Sequence, residues 1–100
     1  NRVEDRVLKI VETNAEAQHI LLVCSSINFI DTSGLEMLRR VNESLRLASV
    51  KLHLSEVKGP VMDRLAETAF ARELSGEMFF TTDEAMQKID EGTTGEIANS

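Results

Sequence analysis

Phe29-Ile30-Asp31-Thr32-Ser33-Gly34-Leu35-Glu36 is the stretch on which the reading of this chain turns. It follows an apolar strand candidate and opens a long amphipathic helix. The helix N-terminus offers unpaired amides and the positive end of a dipole, a setting that suits an anion or a phosphate. A phosphate on Ser33 would gain hydrogen bonds from those amides, while Asp31 and Glu36 would repel it. Thr32 and Ser33 are therefore the candidates for phosphorylation or anion contact. A purely structural reading competes: Ser33-Gly34-Leu35-Glu36 fits a capping box, with Ser33 as N-cap and Glu36 reaching back. Such a cap contributes about 1 kcal/mol and needs no further role.

Outward from this turn, the chain alternates. Upstream, His19-Ile-Leu-Leu-Val-Cys24 is apolar on both faces, the mark of a central parallel strand. Before it, Val3, Val7, Ile10 and Val11 make one face of a helix over 2–13, with a connector over 13–17. Downstream, Leu35, Leu38, Val41, Leu45 and Ala48 recur at helical spacing. Val50 to Val57 alternates as a strand, with Val50, Leu52 and Leu54 on one side. Gly59-Pro60 breaks it and starts a helix, which Phe70 and Leu74 extend or restart and Gly76 ends. Met78-Phe79-Phe80 is a short strand candidate. Thr82 is the expected cap of a last helix through Ile89. The order predicts an α/β fold with a mostly parallel sheet and crossover helices.

One hundred residues suit one small domain, expected over 1–91, with a flexible tail over 92–100. The net charge of −6, with 17 acids dispersed against 11 bases, lacks the basic stripe that nucleic acid requires. Cys24 is single, which excludes an internal disulfide, and it reads as a buried hydrophobe. No apolar run is long enough to span a bilayer, so the chain is expected to be soluble as it stands.

The remaining chemistry-bearing residues are scattered. His19 and His53 have no metal-ligand neighbours at useful spacing, so no metal is expected. A Ser33–His53–Asp31 hydrolytic triad lacks the Gly-x-Ser-x-Gly elbow around its serine. No glycine-rich phosphate loop is present, and no cofactor is expected. Lys58, beside Gly59-Pro60, reads as a solvated lysine on a tight turn. Met37 falls off the main apolar helix face and is expected to be exposed, where a methionine marks a partner surface.

Three segments together resemble a STAS domain: Ile20–Cys24, the Asn28–Leu35 turn, and Lys58-Gly59-Pro60-Val61 with Asp63 and Leu65. The likeness covers the chain to about Asp90. The Lys-Gly-Pro-Val segment and the opening Asn1–Val7 are most similar to the cytoplasmic STAS domains of bacterial SulP-type sulfate and anion permeases. The resemblance implies a non-enzymatic regulatory domain at the cytoplasmic face of the inner (plasma) membrane. Its partners would be the permease's own transmembrane domain and cytosolic proteins. They would be met through Asp31, Thr32, Ser33, Gly34, Leu35 and Met37, and along the exposed side of the helix to Ala48. The alternative is a free-standing anti-sigma factor antagonist switched at Ser33, the position that matches the phosphorylated serine of that group. Nucleotide binding, known in some relatives, has no motif here. STAS domains open with strands ahead of the first helix, so the chain reads as N-terminally truncated, with a bare sheet edge that favours a homodimer.

Overall fold

The hydrophobic periodicities sort the chain into helices and strands around a small parallel sheet. The computed structural model describes residues 2–89 and 97–99. Its elements are α1 (Arg2–Thr13), β1 (His19–Val23), α2 (Thr32–Leu47), β2 (Lys51–Ser55), α3 (Gly59–Ala66), α4 (Phe70–Glu73), α5 (Thr82–Lys88) and β3 (Ile97–Asn99). The sheet order is β2-β1-β3 and both pairings are parallel. The fold is α/β, as the alternation predicts, and β1 is the central strand. The tail expected over 92–100 lies outside the described residues, apart from Ile97–Asn99, which pair as β3.

The register Ile20↔Leu52 and Leu22↔Leu54 decides what each sheet face does. Those four side chains point to one side with Val50, and there meet Val7 of α1, Leu38, Val41 and Leu45 of α2, Val61 and Leu65 of α3, and Phe70. This is the main core. The opposite face is thinner: Leu21 packs with Phe79, Ala85 and Ile89 under α5. Burying each large aliphatic side chain stabilises by roughly 1.5–3 kcal/mol, so the main core carries most of the fold.

Two local expectations are corrected, and one open between extension and restart is decided. Met78-Phe79-Phe80 forms a single parallel bridge to Leu54, not a strand, closed by Leu54 N–H to Glu77 O and Phe79 N–H to Leu54 O. The helix from Gly59 stops and restarts, because the Thr68 hydroxyl donates to Leu65 O at 2.7 Å and competes with the helical ladder. Thr81, not Thr82, caps α5, its hydroxyl accepting from Glu84 N–H at 3.0 Å.

Candidate functional site

The Phe29–Glu36 stretch lies where the chain leaves β1 and enters α2, on the side of the C-terminal ends of the strands. Asp31 is the N-cap of α2, in extended backbone with φ −98° and ψ −178°. Its carboxylate accepts the Gly34 N–H at 2.8 Å, and its carbonyl accepts the Leu35 N–H at 2.9 Å. The capping box centred on Ser33 is therefore not formed. Asp31 displaces Ser33 because its carboxylate reaches the Gly34 amide of the first turn and also complements the helix dipole. Gly34 is needed for close approach: a Cβ there would sit 3.0 Å from Ile30 Cγ1 and 3.3 Å from the capping oxygen.

With capping done by Asp31, Thr32 and Ser33 stand exposed on the first turn. The Ser33 hydroxyl has no partner among the described residues. Beside them runs an apolar groove of about 370 Å³ whose lining includes Ile27, Phe29, Ile30, Gly34, Met37 and Leu38. Phe29 stands at this groove with 75% of its surface exposed. Met37 is 7% exposed and belongs to the main core, so the expected exposed methionine is corrected. Met37 lines the groove beside the 26–31 loop. Lys58 is more than a solvated lysine, since its Nζ donates to Asn28 Oδ1 and ties the loop to the start of α3.

Further along α2, three arginines form ion pairs. Arg39 forks onto Glu73 beyond its helix at 3.1 and 3.2 Å, and Arg40 onto Glu4 of α1 at 3.1 and 2.9 Å. Arg46 takes Glu43 at 3.0 and 2.6 Å. These guanidinium forks hold the Glu4 and Glu43 carboxyls below the usual carboxylate range, the hydrogen bond being the main cause in each. The arginines are committed within the domain, whereas the N-terminal turn and its groove carry no such pairs among the described residues.

Asp31, Thr32, Ser33, Gly34, Leu35 and Met37 occupy the cap and first two turns of α2, with Met37 buried beneath the exposed Asp31, Thr32 and Ser33. The hydrolytic triad is not assembled: His53 is buried on the α5 face of the sheet, against His19, and the Asp31 carboxylate is engaged by Gly34. Cys24 is buried and burial pushes its thiol up to about 12, an inert state. Among the described residues, no group of three His, Cys, Asp or Glu side chains is arranged to hold a metal ion. No described helix is long and apolar enough to cross a membrane. Sequence reading missed the His19–His53 contact, which depends on strand register. It also missed Asn42, a buried polar residue on α2 with no motif around it.

A family model of the STAS domain matches residues 1–85. The chain is similar to Sulfate transporter 3.1 of Arabidopsis thaliana, 34% identical over 86 residues that make 84% of this chain and 13% of that protein. It is also similar to Sulfate transporter 3.2 of the same plant, 32% identical over 74 residues, 73% of this chain and 12% of that protein. The chain therefore spans about an eighth of the length of these curated relatives. Both are plant proteins, whereas the sequence resemblance pointed to bacterial permeases.

Proposed function

The chain belongs to the STAS domain family, and from that premise we propose that it is a non-enzymatic regulatory domain of a SulP-type sulfate or anion transporter. It works at the cytoplasmic face of the membrane by docking onto the transmembrane part of the same polypeptide. The observation that carries this reading is the likeness to two sulfate transporters over most of this chain. The docking surface is the Asp31–Leu35 turn with the apolar groove beside it. Phe29 gives that surface an aromatic anchor of the kind that dominates interface energetics, and the groove supplies apolar depth around it.

A photo-crosslinking amino acid at position 29 of the full-length polypeptide tests the proposal. Crosslinked peptides joining position 29 to a membrane-embedded segment are expected. Crosslinks confined to this domain, or to unrelated soluble proteins, would overturn it. A second reading draws on the exposed, unpartnered Ser33 hydroxyl: a signalling module switched by phosphorylation there. A kinase-dependent mass increase that vanishes in Ser33→Ala would favour that reading.

A further inference from the structure

On the thin face of the sheet, His19 of β1 and His53 of β2 meet with Nδ1 and Nε2 3.0 Å apart. The strands place them so: His19 pairs with Lys51, which sets it diagonally from His53. His53 is 5% exposed, while His19 is half-buried. The other nitrogen of His53, Nδ1, lies 3.1 Å from the backbone N–H of Glu77. A backbone N–H only donates, so His53 Nδ1 must be the acceptor. The neutral His53 ring then carries its proton on Nε2 and donates it to His19 Nδ1.

This chain of two bonds runs in one direction, Glu77 to His53 to His19, and admits no additional ring proton. A proton on His53 Nδ1 would face the Glu77 N–H, and one on His19 Nδ1 would face the His53 N–H. The same logic excludes a metal bridging the pair, because His53 Nε2 holds a proton and not a free lone pair. His53 has little room to turn. Gly76 packs so tightly on it that a Cβ there would sit 2.5 Å from Nδ1 and also collide with Leu52 O. His19 borders a cavity of about 240 Å³ with Lys51, Glu77 and Lys88 around it.

We propose that the His19–His53 pair is an acid-released latch: an added proton leaves no acceptor between the two rings, so their bond breaks and the His19 ring swings into the adjoining cavity. Among the described residues, the charged groups facing the pair are Lys51 from β2, Lys88 from α5 and Glu77 from the turn after α4. After release, the added positive charge joins Lys51 and Lys88, with Glu77 opposing them among the described residues, and repulsion between the cations loosens this corner between β1, β2 and α5. Burial, with the neighbouring His19 next in weight, presses the His53 imidazole down to about 4, which disfavours a second proton on that ring. The latch is independent of the docking proposal, since it lies on the opposite face of the sheet from α2.

Long-range 1H–15N correlation spectra of the ring nitrogens test it. At about pH 7.5 the unmodified chain should show His53 as the Nε2–H tautomer, with a ring N–H signal protected from exchange. By about pH 5 that signal should broaden away, with exchange faster by roughly tenfold or more. His19→Gln keeps an acceptor that does not titrate, so its His53 signal should persist to about pH 5. An Nδ1–H tautomer at His53 in the unmodified chain would overturn the proposal without reference to any variant. So would a signal that survives acid in the unmodified chain, or that fades equally in His19→Gln.

Discussion

Asp31 shows how one side chain settles what a turn is free to do. Its carboxylate closes the first turn of α2 on Gly34 N–H, and the two hydroxyl residues that follow are left facing solvent. Asp31→Ala should lower stability by about 1 kcal/mol, read as a fall in the urea midpoint, with Asp31→Asn close to the parent. The Asp-Thr-Ser run contains two good N-cap types, and sequence spacing alone favoured Ser33 through Glu36. The choice between them rests on the extended backbone at Asp31, which brings its carboxylate to the Gly34 amide and which no pattern of residue types encodes. Met37 was misread for a related reason. Its position on the helical wheel is marginal, and the neighbouring 26–31 loop, held by Lys58 on Asn28, covers it.

At the scale of elements, periodicity did well wherever a helix or strand was long and one-sided. Leu38, Val41 and Leu45 of the α2 stripe face the core as expected, although Ala48 is the exposed C-cap. Val50, Leu52 and Leu54 share the main core as expected, while His53 and Ser55 are buried as well. Short pieces were harder, because tertiary contacts decide them. Met78 bridges Leu54 at one point only, and the following residues turn to bury Phe79 under α5. The segment between α4 and this bridge is fixed by Asn42 of α2, which is 3% exposed. Asn42 Nδ2 donates to Glu73 O at 2.8 Å, and its Oδ1 accepts from Ser75 N–H and Ser75 Oγ–H at 3.1 and 3.2 Å. The Ser75 hydroxyl in turn accepts the Leu52 N–H at 3.1 Å, which joins β2 to the same network. Asn42→Ala removes the shared partner of Glu73 O and of the partly buried Ser75, and should cost about 1–2 kcal/mol in guanidinium unfolding.

At the scale of the whole molecule, one sheet separates two layers of unequal depth, and each carries a different duty. The thick side holds the core and presents the α2 turn. The thin side holds the histidine pair, which was illegible in sequence because 34 residues separate partners that only the parallel register brings together. The thin side also gives stability a pH dependence with a definite sign. His53 is pressed from an ordinary 6.5 to about 4 in the fold, so below 6.5 the unfolded chain binds the extra proton more readily. Its contribution is fully present above about pH 6.5 and is lost progressively down to about pH 4. Burial of the ring makes that loss on the order of 3 kcal/mol at most. Thermal melts across this window should show the fall, and His53→Leu should flatten it.

The central claim concerns the thick side: the turn and groove around Phe29 dock this domain onto a transporter. Phe29 is mostly exposed, so Phe29→Asp should change the stability of the domain by less than about 0.5 kcal/mol. The deciding measurement is sulfate uptake by cells carrying the full-length polypeptide with Phe29→Asp, with surface abundance measured in parallel. The docking account predicts an uptake rate altered by several-fold at equal abundance. An uptake rate equal to the parent's at equal abundance would contradict it.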